Sequence, residues 1–386
     1  MPGKDKPYRV YRGGRAKGPI RHEPLKDEGG RRKDGDAYEY KGPRSRRKAR
    51  RWPRRVLFIV LGLLVITLVW ALLGYLALRS GVKGANHRLD PLAARALSPQ
   101  DGLMLSNPSN ILVLGADTGG VRKGAQARSD SIVLIHTDPD HHKIALLFIP
   151  RDLRVDIPRH GAEKINAAYA FGGPTLAIKT VERVTGLQIN HVIVVDFSTF
   201  DDVVDTLGGV TIDVPHKILS NKFECPKHSK AECDRWPGWR FAKGEQTMTG
   251  RRALIYARIR ENRLNPNESD FTRGERQQAV IEAIADKTVS FKTFIKAPFI
   301  GDDLVSPLAT DLSAAQMLEL GWVKRRTPSS GRLRCRLGGT IADIGGQSFV
   351  IGSEENVSVV AMVTGKTAPQ PPPPGSGPFG PGCRVG

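Results

Sequence analysis

Five side chains in one short stretch of this sequence have the chemistry to hold a polyanion. Arg258 and Arg260 stand two apart in Tyr256-Ala-Arg-Ile-Arg260, and Arg273, Arg276 and Gln277 follow in Asp270-Phe-Thr-Arg-Gly-Glu-Arg-Gln277. Leu254, Tyr256, Arg258 and Arg260 alternate, which reads as one face of a strand. Arg273 and Gln277 share a helical face by their i, i+4 spacing, with Arg276 adjacent. A guanidinium presents a planar fork of donors matched to phosphate oxygens. Arg273 also falls in the first turn of its helix, where free backbone N–H groups favour anions. A solvated basic surface is the plain alternative. Convergence of so many cations predicts instead the wall of a pyrophosphate site.

A second constellation is spread along the chain. Asp117 follows one apolar run, Arg128 and Asp130 precede the next, and Arg151 and Asp152 follow the third. If the three runs form an antiparallel meander, all of these groups lie at one sheet edge, where α/β folds commonly bind ligands. Asp117 and Asp130, with no His or Cys companions, suit a hard cation, Mg²⁺ or Mn²⁺, whose remaining ligands are water and phosphate oxygens. Asp130 and Asp152 are candidate general bases.

The elements that must position these groups are legible as short apolar runs. Strands are predicted at 110–115, 131–137, 143–149, 191–196 and 210–214, and helices over 174–184 and 198–207. Thr272-Arg-Gly-Glu275 has the form of a capping box opening a helix to about Val289, and Ser313-Ala-Ala-Gln316 opens another. Residues 219–247 read as irregular, and 333–363 as two strands and a closing helix. Interleaved strands and helices predict a three-layer α-β-α domain with a central mixed sheet.

That domain is preceded by one transmembrane helix. Val56–Leu78 is an uninterrupted apolar run, long enough to cross a bilayer core of roughly 30 Å. The 55 residues before it hold 20 of the 59 Lys and Arg against 7 acids, so they supply most of the net charge of +20. Basic residues on one flank predict a cytoplasmic N-terminus and an extracytoplasmic remainder, and the run is too long for a cleaved signal. The expected organisation is therefore a disordered basic tail (1–55), an anchor (56–78), a spacer (79–106), the domain (107–365) and a disordered Pro/Gly-rich tail (366–386). Outside the membrane, Cys225 and Cys233 are close enough in sequence to staple a loop, and Cys335 with Cys383 is a weaker pair. No CxxC is present, which argues against a zinc ribbon.

Compartment narrows the donor. No P-loop is present, and nucleoside triphosphates are scarce outside the membrane, so an activated phosphate there is expected to be lipid-linked. Leu114-Gly-Ala-Asp117, Arg128-Ser-Asp130, Ile149-Pro-Arg-Asp152, Lys164-Ile-Asn166-Ala-Ala-Tyr169, Phe171-Gly-Gly173 and Asp196-Phe197 occur in that order. They are followed by Asp205-x-Leu-Gly-Gly-Val210, Tyr256-x-Arg-x-Arg260 and Asp270-x-x-Arg-x-x-Arg-Gln277. This series resembles the LytR–CpsA–Psr family over roughly residues 107–365. The resemblance implies a phosphotransferase moving a glycopolymer from undecaprenyl pyrophosphate to peptidoglycan, with teichoic acid one such polymer. It implies Asp117 and Asp130 as Mg²⁺ ligands and Arg128, Arg151, Arg258, Arg260, Arg273 and Gln277 as pyrophosphate ligands. An apolar tunnel for the lipid tail is also implied. Leu153 after Asp152 and Ser131 after Asp130 depart from the family's commoner residues without removing a charge.

Two other readings remain open. A hydrolase would use the same clamp with water as acceptor. A regulator would bind nucleic acid through residues 1–55, but topology control and attraction to anionic lipid explain that basic tail more simply, and no nucleic-acid partner is expected.

Overall fold

The computed structural model describes residues 52–116, 128–265, 270–374, 376 and 380–386. The predicted cytoplasmic tail, up to residue 51, and Asp117 lie outside the described residues. The chain divides into two units, Met1–Ile59 and Val60–Gly386, and the second carries everything that follows.

The chain forms α1 (Trp52–Arg88), α2 (Pro91–Ala96), β1 (Ser109–Ala116), β2 (Ser129–Asp138), β3 (Lys143–Phe148), β4 (Arg154–Ile157) and β5 (Gly161–Lys164). Next come α3 (Ala167–Thr185), β6 (His191–Asp196), α4 (Phe197–Thr206), β7 (Val210–Val214), β8 (Ile218–Leu219), α5 (Lys230–Arg235), β9 (Arg240–Phe241) and β10 (Gly244–Met248). They are followed by α6 (Gly250–Arg258), α7 (Asp270–Thr288), α8 (Phe291–Val305), β11 (Ala309–Thr310), α9 (Ala314–Arg326) and β12 (Arg332–Arg336). The last elements are β13 (Gly339–Ile344), β14 (Gln347–Gly352), α10 (Glu355–Val363) and β15 (Gly382–Val385).

The central sheet is mixed, in the order β11-β6-β1-β2-β3-β12-β15. β1, β2 and β3 form the antiparallel meander that the sequence predicts. β6 lies parallel to β1, and β12 parallel to β3. Leu112, Leu114, Ile132, Leu134 and Leu147 face one side, buried with Ile178 and Val181 of α3 and Val359 and Met362 of α10. Val133, Leu146 and Phe148 face the other side, packed with Ile281 of α7. The result is the three-layer α-β-α arrangement. Each fully buried Leu or Ile here contributes on the order of 2 kcal/mol.

A second apolar cluster sets the positions of α6 and α7. Ile212 of β7, Met248 of β10, Ile255 and Tyr256 of α6 and Val280 of α7 are buried together. The Tyr256–Arg260 stretch is therefore not a strand. Ala253 through Ala257 are all buried, and Thr249 caps a helix ending at Arg258. Burial on every side hid the helical period behind an accidental alternation. The α7 helix begins at Asp270, two residues before the predicted box, so Thr272 lies inside it.

Three further differences concern segments read as simple. Residues 79–88 continue α1 rather than forming a spacer, with Val82 and Ala85 buried against Val305 and Ala314. The stretch 219–247 contains β8, α5, β9 and most of β10. Part of the Pro/Gly-rich tail is ordered: Gly382–Val385 pairs with β12, and Cys383 sits opposite Cys335 and is bonded to it. Composition cannot reveal a strand whose stability comes from a distant partner and a covalent tie. The predicted capping box at Ser313–Gln316 is present in both directions.

Candidate functional site

The meander delivers Asp130, Arg151 and Asp152 to one sheet edge. Asp130 opens β2, while Arg151 and Asp152 lie in the turn after β3, held by the Leu153 N–H donating to the Pro150 carbonyl at 3.0 Å. Arg151 Nη1 donates to Asp130 Oδ1 at 2.6 Å, and its Nε donates to Asp152 Oδ2 at 3.3 Å. Lys164, at the end of β5, places its Nζ 3.0 Å from Asp152 Oδ1 and lies over the Phe349 ring. Lys164 thus serves as an ion-pair partner.

A cavity of about 220 Å³ opens beside this cluster. Arg258, Arg260, Arg273 and Gln277 line it together with Asp130, and Phe197, Asn221 and Phe223 supply the rest of its wall. Arg258 ends α6 and Arg260 lies two residues beyond, so the pair reaches the cavity from a helix end and an extended turn. Arg273 and Gln277 come from one face of α7 and are buried. Gln277 Oε1 accepts from Ser131 Oγ at 2.9 Å, which ties α7 to the start of β2. Gly274 lets this happen: a Cβ there would stand 2.6 Å from Phe148 Cε1. A side chain there would force the Phe148 ring or α7 to shift.

Two of the predicted site residues stand elsewhere. Arg276 is buried, but its Nη2 donates to the Ile259 carbonyl at 2.6 Å, fixing the turn between Arg258 and Arg260. It lines a separate cavity of about 580 Å³ on the other side of α7. Arg128 is exposed just before β2 and does not line the smaller cavity. Asp117 is outside the described residues.

Sequence reasoning missed Glu224, Asn221 and Phe223. Glu224 pairs with Arg258 Nη1, and its other oxygen lies 2.8 Å from Arg251 Nη2. It adopts a left-handed backbone, φ 46°, next to Cys225, an uncommon conformation for a non-glycine residue. Cys225 and Cys233 are joined, closing the adjacent loop. Nothing in an irregular stretch points to these side chains. Phe197 had a signal in the Asp196-Phe197 pair, and the Arg258 guanidinium lies 5.2 Å from its ring centroid. Trp239 packs beneath the loop, its Nε1 donating to the Phe223 carbonyl at 3.1 Å.

Two titrations near the cavity are perturbed. Burial pushes the Asp201 carboxyl up, opposed by Arg251 and reinforced by Asp205, Asp202 and Glu224. Burial, with Asp196 adding to it, raises the Tyr169 hydroxyl. Among the described residues no group of three or more His, Cys, Asp and Glu is placed to hold a metal ion. Asp130 lines the cavity and has only Oδ1 engaged by Arg151. A carboxylate on the wall of this cavity, with one oxygen unengaged among the described residues, fits Mg²⁺, which keeps waters and phosphate oxygens as its other ligands. Three guanidinium groups, two carboxamides and one carboxylate around one cavity suit a pyrophosphate with an accompanying cation.

The description LytR_cpsA_psr family belongs to the family model that matches residues 82–360. The chain is 32% identical over 271 residues to the polyisoprenyl-teichoic acid–peptidoglycan teichoic acid transferase TagU of Halalkalibacterium halodurans, covering 68% of this chain and 82% of that protein. It is 33% identical over 214 residues to the regulatory protein MsrR of Staphylococcus aureus, covering 55% of this chain and 59% of that one. Among solved structures, Bacillus subtilis TagV superposes with a TM-score of 0.57 at 27% identity, covering 67% of this chain and 97% of that one. The LytR-CPS2A-psr family protein YwtF (TagT) with bound octaprenyl pyrophosphate lipid matches with a TM-score of 0.50 at 26% identity, covering 69% and 92%.

Proposed function

The chain belongs to the LytR–CpsA–Psr family, and from that premise we propose that it is a membrane-anchored, Mg²⁺-dependent transferase. It takes a glycopolymer from a polyprenyl-pyrophosphate carrier, undecaprenyl being the expected chain, and joins it to peptidoglycan. One observation carries the reading: Arg258, Arg260, Arg273 and Gln277, from two helices and the turn between them, share one cavity with Asp130. The relative named for transfer of teichoic acid and the neighbour solved with octaprenyl pyrophosphate support the donor class. The apolar helix α1, long enough to cross a membrane, supports the anchor, with the domain outside and the N-terminus in the cytoplasm.

In this reading the guanidinium groups and Gln277 hold the pyrophosphate oxygens. An acceptor hydroxyl of peptidoglycan attacks the phosphorus that carries the sugar. A new phosphodiester P–O bond forms, the anhydride P–O bond breaks, and polyprenyl phosphate leaves. Asp152, which holds no metal in this reading, is the carboxylate beside the cleft that can take the hydroxyl proton, whereas a cation on Asp130 would make that group a poor base. Arg258, Arg260 and Arg273 stabilise charge that builds on the departing phosphate, a fixed electrostatic arrangement that requires little reorganisation. Mg²⁺, held by Asp130 and Asp117, would neutralise further charge on the same oxygens.

The test is transfer by the full chain in membranes, using a labelled polyprenyl-pyrophosphate oligosaccharide with and without peptidoglycan. Label should move to peptidoglycan as polyprenyl phosphate is released. Equal release without peptidoglycan would make the protein a hydrolase.

A further inference from the structure

Helix α8 packs along the part of α1 that is read as crossing the membrane. Trp70 Nε1 donates to the Ile295 carbonyl at 3.2 Å, and the Trp70 and Phe299 rings meet edge to face at 5.7 Å. Further along α1, a Cβ on Gly74 would lie 3.1 Å from Ala297 Cβ, and one on Gly81 only 2.6 Å from the Asp302 carbonyl oxygen. From the other side, a Cβ on Gly301 would lie 2.9 Å from the Leu78 backbone nitrogen. Small residues at close helix crossings are the usual device for packing helices in lipid. The contacts advance in the same direction along both helices. Trp70 lies eight residues before the end of the apolar run, so the partner residues of α8 sit up to ~12 Å inside it.

The outward face of α8 is apolar at that depth. Phe291 is 76% exposed and Phe299 73%, with Phe294 and Ile295 also exposed. These positions recur at helical spacing, so they form one stripe. Over the same turns α1 exposes Leu72, Leu73 and Leu76. Lys292 and Lys296 of α8, with Lys287 of α7, line an adjoining cavity of about 260 Å³. Asp302 and Asp303 come only near the end of α8, where α1 leaves its apolar run. An apolar stripe at this depth, with the acids confined to the end where α1 leaves its apolar run, matches a helix that enters the leaflet beside α1.

We propose that α8 is a second membrane-embedded element, lying in the leaflet nearest the domain with Phe291, Phe294, Ile295 and Phe299 among the acyl chains. This rests on reading α1 as a membrane span. It adds that the domain is clamped against the bilayer rather than suspended from a tether, because α8 follows α7, the helix that carries Arg273 and Gln277, after two intervening residues.

The experiment uses the full chain in vesicles containing phosphatidylglycerol. All four native cysteines are paired, so single substitutions Phe291→Cys, Phe299→Cys, Leu64→Cys and Val357→Cys can each carry an environment-sensitive dye. Leu64 reports on the anchor, and Val357, 77% exposed on α10, reports on water. Dyes at 291 and 299 should both emit to the blue, with 299 quenched more strongly by nitroxides near the headgroup and 291 by deeper ones, since 291 lies ~12 Å further into the apolar run. The dye at 64 should be quenched by deep nitroxides and that at 357 by neither. If 291 and 299 behave like 357 while 64 is quenched, the α8 proposal fails alone. If 64 is also unquenched, the anchor reading falls and takes the proposal with it. A blue shift that follows protein concentration without lipid quenching would assign the stripe to a second copy of the chain and overturn the proposal.

Discussion

Arg151 reaches from the turn after β3 to Asp130 at the start of β2, closing a contact of 2.6 Å between residues that the chain separates by two strands. The same guanidinium touches Asp152, so it offsets charge on both carboxylates at the sheet edge. Arg258, Arg260 and Arg273 then leave the neighbouring cavity with an excess of positive charge for an anionic ligand. This division of labour makes the residues separable by mutation.

Arg258→Ala and Asp130→Ala should each lower transfer by roughly 10²–10³-fold, the usual cost of removing one group that stabilises transition-state charge. Both should remain folded. Glu224 keeps Arg251 as a partner when Arg258 is removed, so the stability cost should stay below about 1 kcal/mol. Initial rates together with thermal melts check this; normal transfer by either variant would remove that residue from the site.

Gly274→Ala tests the contact between α7 and the sheet. The added methyl must displace the Phe148 ring, at about 1–3 kcal/mol for overpacking. Because α7 carries Arg273 and Gln277, activity should fall more than stability alone explains. Denaturant midpoints and rates measured well below the transition separate the two effects.

Chelation of divalent ions should stop transfer, and added Mg²⁺ should restore it. Arg258→Ala should stay inactive at any Mg²⁺ concentration, since the cation does not replace the guanidinium. Full activity in excess chelator would exclude the metal.

The two disulfides should differ in weight. Closing 48 residues between Cys335 and Cys383 is worth about 4 kcal/mol, against about 2.5 kcal/mol for the 8 between Cys225 and Cys233, by loop-closure entropy. Paired Cys→Ser variants, compared by denaturant titration, should preserve that order.

Acid should destabilise the domain through His136. Burial lowers its proton affinity, with Asp138 opposing, and its Nδ1 lies 2.8 Å from Asn110 Oδ1. Unfolded, the ring takes a proton near its ordinary value of 6.5; folded, it does so only at lower pH. The unfolded state therefore binds more protons below 6.5, and stability falls as pH drops through that window, with no contribution above it. His136→Gln should flatten the change in urea midpoint between about pH 7 and about pH 5.5.

Much of this architecture was legible because the sheet interior is built from short apolar runs bounded by turn residues. The meander, and with it the meeting of Asp130, Arg151 and Asp152, followed from three such runs. The Arg wall was legible as chemistry but not as shape. Ala253–Ala257 is buried throughout, so the helical period of α6 left no polar stripe to read. Arg276, one turn along the helix from Arg273, does not line that cavity and instead holds the Ile259 carbonyl. Glu224 depends on a disulfide loop folding back over α6, a contact spanning 34 residues that no local pattern encodes.

The strand β15 also bears on colloidal behaviour. Without it, β12 would be the outermost strand on that side of the sheet and would present an unpaired row of amides and carbonyls, a template on which another chain can add. β15 covers that row with four residues that bear the exposed Arg384, too short and too charged to recruit a neighbour. The bond between Cys335 and Cys383 keeps the cover in place. Reducing conditions should therefore show themselves first as self-association of a still-active enzyme, with light scattering rising before turnover declines.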